Sequence, residues 1–236
     1  LEHYGDICDD LHTDLHECLG HGSGKLLPDV DSEALRSYGS TIEEARADLF
    51  GLYYIADPKL VELNLTPDAE AYKAQYYSYL MNGLLTQMIR IEEGQHLEEA
   101  HMRNRALISN WVLEHYPTAV QIVCKNDKHF VCISNYPLLR RAFGELLAEV
   151  QRIKSEGDFA AARNLVEQCG IKLNPKLHRE ILKRHKQLNL APYKGFINPK
   201  YELVRNEEGD IIDVSISCDE AYDEQMLRYS KQYKTL

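Results

Sequence analysis

No apolar run among the 236 residues approaches the roughly 18 that a membrane-spanning helix requires, and no signal-peptide pattern opens the chain. These absences predict a soluble protein, cytoplasmic and without a membrane partner. Basic charge is also in short supply, with 27 Lys and Arg against 37 Asp and Glu and a formal net charge of −10. Neutralising phosphates takes a surplus of cations, so a general nucleic-acid binder is excluded. The local run Lys183-Arg184-His185-Lys186 reads as a solvated helix face. The six cysteines are dispersed and never in C-x-x-C spacing, which predicts free thiols in a reducing compartment. Cys124 and Cys132 alone fall on neighbouring strand candidates that could bring them together. No internal repeat or low-complexity tract occurs. With 44% hydrophobic and 27% charged residues, the chain has an ordinary globular composition and length enough for one large domain or two small ones.

Chemistry concentrates instead in one stretch, Asp14 to Lys25, D-L-H-E-C-L-G-H-G-S-G-K. His16, Glu17 and His21 fall within six residues, and zinc peptidases need two imidazole ligands and a carboxylate base packed that closely. In the usual helical signature, H-E-x-x-H, the histidines stand at i and i+4. Here they stand at i and i+5. At about 100° per residue the fifth position lies roughly 140° round a regular helix, so both rings reach one metal only if the turn takes in an extra residue. A π-type turn does this, and such turns favour functional sites. Gly20 lies inside the turn that must widen and offers no side-chain resistance. Against this stands a plainer reading, since helical histidines are more often packed or solvated, and a chain with ten His can match the pattern by chance. Cys18, inside the sextet, reads as a small packed residue rather than a ligand.

A second cluster, Ser40 to Asp48, reads S-T-I-E-E-A-R-A-D. Ser40 followed by Glu43 has the form of a capping box, which predicts a helix from Ser40 towards Asp57-Pro58 with Glu43 occupied at its start. On that helix Glu44 and Asp48 are one turn apart on one face, and Glu43 points about 100° away. Glu44 is then the better third ligand, giving a His, His, Glu set with one position open, the arrangement of catalytic zinc. Asp48 suits an acceptor for the free ring N–H of a ligand histidine. An ordinary acidic helix face is the alternative for this pair alone.

Together, H-E-C-L-G-H-G-S-G-K-L and E-E-A-R-A-D resemble the two zinc motifs of the dipeptidyl peptidase III family, in a bacterial-type member. The resemblance implies zinc on His16, His21 and Glu44, with Glu43 and Asp48 behind the ligands and Glu17 as the base that takes a proton from water and passes it to the leaving amine. It implies a mainly α (α+β) fold, a helical zinc-peptidase catalytic lobe with small β-hairpins. It also implies peptide substrates, cleaved to release dipeptides from their N-termini. Family members are long and two-lobed, so residues 1–236 are expected to be the C-terminal part of the zinc-bearing lobe, a fragment that is weak or inactive alone. E-E-A-H-M-R-N-R by itself places His101 and Arg105 on one helix face, where two polar residues facing solvent are the plainer reading. It resembles the family's A-H-M-x-x-R motif, which makes His101 a donor to the oxyanion and Arg105 a substrate anchor. Ala191-Pro192-Tyr193-Lys194-Gly195-Phe196 resembles a substrate-binding segment in which Lys194 matches, but Tyr193 stands where arginine is expected. A non-catalytic helical zinc-binding or interaction domain, and an endopeptidase with the same chemistry, are the competing readings.

Periodicity and turn signals fill in the rest. A long helix is predicted from Ala69 to about Glu93, with Tyr72, Tyr76, Tyr77 and Tyr79 as core, and another from about His96 to His115. Ala119–Cys124 and His129–Ser134 read as a β-hairpin. Helices follow over about 137–155, 158–168 and 175–189. A second hairpin over Tyr201–Arg205 and Ile211–Ser217 precedes a terminal helix over Cys218–Tyr233.

Overall fold

The computed structural model describes residues 1–190 and 197–233, which divide into two units, Leu1–Leu188 and Asn189–Leu236. Lys194 lies outside the described residues. The remaining sequence-predicted site residues all belong to the first unit.

That unit is mainly helical. Helix α1, Gly5–Leu15, runs directly into a π-helical turn, His16–His21, so the predicted widening is present at the predicted residues. After a connecting segment and a 3-10 turn, Arg36–Tyr38, comes α2, Gly39–Tyr54. α2 is buried over most of its length and packs on α1, the π-turn and the later helices, with Arg46 and Asp48 buried among its apolar residues. The expected capping box is not formed. α2 starts at Gly39 without a side-chain cap, because the preceding 3-10 turn already offers the Arg36 carbonyl to the Gly39 N–H. Glu43 is thereby released for other partners.

Asp57 caps the short α3, Pro58–Glu62, by accepting from the Lys59 N–H. Helix α4 spans Tyr72–Leu84 and a 3-10 turn occupies Thr86–Arg90, so the single helix expected to Glu93 breaks at Leu85. The reason is local: the Gln87 side chain takes the Gly83 carbonyl at 3.0 Å and the Met102 carbonyl at 3.2 Å, which ties the turn to the next helix. Gly83 also sits where a Cβ would lie 2.1 Å from Ser109 Oγ, so the two helices meet backbone to side chain. Tyr76 and Tyr79 are buried as expected, and Tyr72 and Tyr77 lie half-buried at the margin. Helix α5, Ala100–His115, begins later than predicted because Glu99 caps it, accepting from the His101 and Met102 N–H groups at 2.9 Å. That cap fixes where His101 leaves the helix.

Strands β1, Val120–Lys125, and β2, Lys128–Ile133, form the expected antiparallel hairpin, closed by Asn126 and Asp127 at φ 53° and 57°, as a two-residue turn of this hand requires. Cys124 faces His129 and Cys132 faces Gln121, so register keeps the two thiols apart; all six cysteines are free. Helix α6, Tyr136–Glu156, ends at Gly157 with φ 65°, and α7, Phe159–Cys169, starts at once from the Asp158 cap. Helix α8 is Pro175–Leu188. The main core cluster includes Ile42, Leu49, Leu52, Tyr76, Leu107 and Phe143, and a small second one gathers Leu97, Met102 and Ala106.

In the second unit β3, Lys200–Arg205, pairs antiparallel with β4, Ile211–Ser217. Helix α9 is Tyr222–Gln232, shorter than the predicted Cys218–Tyr233, with Glu224 accepting from the Ala221 N–H at its start. Among the described residues no helix is long and apolar enough to cross a membrane.

Candidate metal centre

The π-turn projects His16 and His21 from one side, and α2 presents Glu43, Glu44 and Asp48 from the other. The two rings stand edge to face with centroids 4.6 Å apart. His16 Nε2 lies 3.5 Å from Glu44 Oε2, and His21 Nε2 lies 3.8 Å from Glu44 Oε1. The widened turn therefore does what the spacing demanded, turning residues i and i+5 to one point. Glycine is required at position 20 for a further reason, since a Cβ there would come within 2.6 Å of the Ala47 backbone. Any side chain would lift the turn off α2.

The other nitrogen of each ring is already committed. His16 Nδ1 donates to Asp48 Oδ1 at 2.7 Å, and His21 Nδ1 donates to Glu43 Oε1 at 2.9 Å. Each carboxylate thereby fixes a tautomer with Nε2 free, the state a metal ligand needs. Both Nε2 atoms face Glu44, whose buried Oε2 has no hydrogen-bond partner. His101 Nδ1 lies 3.2 Å from that oxygen, outside hydrogen-bonding geometry. Two imidazoles and a carboxylate with one atom each inside 4.8 Å, one of them an orphaned buried oxygen, fit a zinc ion in both donor chemistry and spacing.

Asp48 is the most heavily bonded group of the site. Oδ1 accepts from His16 and, at 3.3 Å, from His12 Nε2; Oδ2 accepts from the Tyr79 hydroxyl at 2.7 Å and Asn104 Nδ2 at 2.9 Å. Burial works against its charge, but the bonds to His12 and His16 outweigh this and hold the carboxyl far below the usual range. Burial and the adjacent Asp48 push the Tyr79 phenol well up, so it stays protonated and donates. For His16 burial opposes the charged ring, and the bond to Asp48 prevails, raising its pKa. Glu43 is likewise opposed by burial and then drawn down, to about 2, by Arg46, Lys154 and His21.

A cavity of about 300 Å³ opens beside this cluster, lined by His16, Glu17, Asp48, Tyr79, His101 and Arg105 among others. The predicted base and both α5 residues thus share one hollow with His16. His12, Tyr79, Asn104 and Arg46 were not singled out in the sequence. His12 stands one helical turn before His16, and Asn104 one turn after His101, a spacing that carries the signal once the helices are known. Tyr79 was hidden in an aromatic stripe that the core explains.

Comparison with known proteins turns on the stretch after the π-turn. Residues 30–208 match the model of peptidase family M49. The chain belongs to this family. M49 peptidases are zinc-dependent metallopeptidases. The matched stretch contains Glu43, Glu44, Asp48, His101 and Arg105, whereas His16–His21 precedes it and stands on its own geometry. The mouse and human proteins named dipeptidyl peptidase 3 are each 27% identical over 203 residues, covering 67% of this chain and 27% of theirs. The solved structure of DPP III from Caldithrix abyssi is similar with a TM-score of 0.56 at 25% identity, covering 75% of this chain and 32% of that one. Dipeptidyl-peptidase III from Corallococcus sp. strain EGB gives 0.57 at 25% identity, over 75% and 31%. The expected M49 membership and mainly helical fold are therefore found, and the chain spans about a third or less of the length of these relatives.

Proposed function

We propose that this chain carries the zinc centre of a dipeptidyl peptidase, with His16, His21 and Glu44 as the ligands and Glu17 as the general base. The observation that carries this reading is the convergence of two Nε2 atoms, each released by a carboxylate behind its ring, on the Glu44 carboxylate, whose buried Oε2 has no hydrogen-bond partner. When bound, zinc would supply a Lewis acid that acidifies a water and polarises the scissile carbonyl. Glu17, adjacent to the first ligand and lining the cavity, takes the water's proton and returns it to the leaving amine. His101, 54% exposed at the cavity rim, donates to the oxyanion, and Arg105 beside it anchors the peptide. Lys194 is assigned to the substrate's carboxyl side. Asp48 and Glu43 hold the ligand rings.

The substrate is a peptide with a free N-terminus, from which dipeptides are released, and the setting is the cytoplasm. Because the chain spans 27% of the curated relatives, groups that capture the substrate amine are assigned to segments beyond these 236 residues. The chain alone therefore binds metal but turns substrate over weakly or not at all.

Elemental analysis of the purified chain tests the centre: about one zinc per chain is expected for a three-ligand site, and His16→Ala, with one ligand fewer, should bind too weakly to retain it through purification. Zinc absent from the wild type even after addition would overturn it. Glu17→Gln should keep the zinc and abolish whatever dipeptidyl-naphthylamide turnover the wild type shows. Robust turnover by the wild-type chain would contradict the weak activity assigned to it.

A further inference from the structure

Arg46 is the largest of the completely buried side chains. A buried guanidinium is stabilising only when each of its donors is satisfied, and removing one acceptor leaves an uncompensated charge. All five N–H donors of Arg46 have an acceptor. Nε donates to Glu43 Oε2 at 3.0 Å, and Nη2 donates to Glu43 Oε1 at 2.7 Å and to the Gly20 carbonyl at 2.6 Å. Nη1 donates to Ser23 Oγ at 3.2 Å and Gln151 Oε1 at 3.4 Å. The turn after the second histidine is folded over the group: Gly24, at φ 88°, has room for a Cβ only at 3.0 Å from Nη1.

Two of those acceptors belong to the setting of one residue, His21. The Gly20 carbonyl is half of the peptide bond that leads into His21, at the end of the π-turn, where it also accepts from the Ser23 N–H at 3.2 Å. Glu43 is the carboxylate that accepts from His21 Nδ1. It is gripped on both oxygens by the Arg46 fork, with Lys154 of α6 bonded at 2.5 Å to Oε2. We infer that Arg46 is a positioning residue for His21, fixing its backbone through the Gly20 carbonyl and its ring through Glu43. His16 is held separately, through Asp48, Tyr79, Asn104 and His12, and among the described residues shares no hydrogen-bond partner with this network. The division gives each ligand histidine its own support, and it explains why a full charge is kept in the interior of α2. This inference rests on the zinc assignment above.

The test is a pair of mutant cycles read as zinc affinity by chelator competition on the folded, metal-free chain. Arg46→Met should weaken zinc binding about 10- to 100-fold, the usual effect of losing a group that orients a ligand. In a His21→Ala background the same substitution should change affinity little, whereas in a His16→Ala background its full factor should persist. The d–d spectrum of the cobalt(II) form should shift in Arg46→Met towards that of His21→Ala. Arg46→Lys keeps a cation beside Glu43 and spares the fold, but a single ammonium cannot hold the carboxylate fork and the Gly20 carbonyl together; it should follow the same pattern with a smaller factor. Unchanged affinity in both Arg46 variants, or an equal loss in the two histidine backgrounds, would overturn the inference and leave the zinc site standing. Wild-type chain that binds no zinc would overturn the zinc assignment and this inference together.

Discussion

Asp48 takes four donors on two oxygens inside the protein, and its environment makes it the group on which His16 depends. Replacing Tyr79 with Phe removes one charge-assisted bond and little volume. We expect Tyr79→Phe to lower stability by about 1–3 kcal/mol in urea unfolding and to weaken zinc binding about 10-fold. Unchanged binding would show that the phenol only fills space. Glu43 sets a pH dependence of definite sign. Its pKa is depressed from 4.5 to about 2 in the folded chain, so its contribution is fully present above about pH 4.5 and is lost as pH falls towards 2. Asp48 acts in the same direction. The raised pKa of His16 acts oppositely in the metal-free chain: its contribution is present below 6.5 and is lost as pH rises through the folded value. Denaturant midpoints of the metal-free protein should thus fall below pH 4.5, with a shallower slope in Glu43→Gln.

The decisive element is the π-turn seated on α2. One inserted residue turns His16 and His21 to the same point, and the close approach of Gly20 to Ala47 keeps that point above Glu44. Gly20→Ala forces a methyl into backbone at 2.6 Å, where neither side can yield without moving a helix. Overpacking of this kind costs about 1–3 kcal/mol, and a further loss of zinc should accompany it because the turn carries both proposed histidine ligands. A variant that loses stability but binds zinc normally would show that the turn relaxes away from α2 without moving the histidines. The glycine was legible as a residue that lets a turn widen, while its contact with α2 was not, because Ala47 is distant in sequence. Glu43 shows the same limit: its capping spacing is real, but Arg46 and Lys154, the latter 111 positions away, decide where it points.

For the whole molecule, the proposed ligands, the proposed base and the cavity all lie in the unit Leu1–Leu188. Truncation after Leu188 should leave a folded chain with unchanged zinc affinity, measured by the same chelator competition; loss of binding would make the second unit part of the centre. That second unit exposes Tyr201, Leu203, Ile212 and Ile216 along its hairpin, each more than half accessible. A two-stranded sheet with so apolar a surface is only marginally stable by itself.

The amino-acid order by itself determined most element types, the π-turn and which side chains the two motifs offer on one face, because all three follow from local spacing: i and i+5 fixes how a turn must widen, and an i, i+4 pair fixes which carboxylates share a helix face. It also carried the family resemblance and the free thiols. Only the tertiary structure decided what holds the carboxylates behind the two rings. Tyr79, Asn104, His12 and Arg46 earn their places by burial beside a carboxylate from another segment, and the cost of leaving such a group unpaired appears only when the helices are brought together.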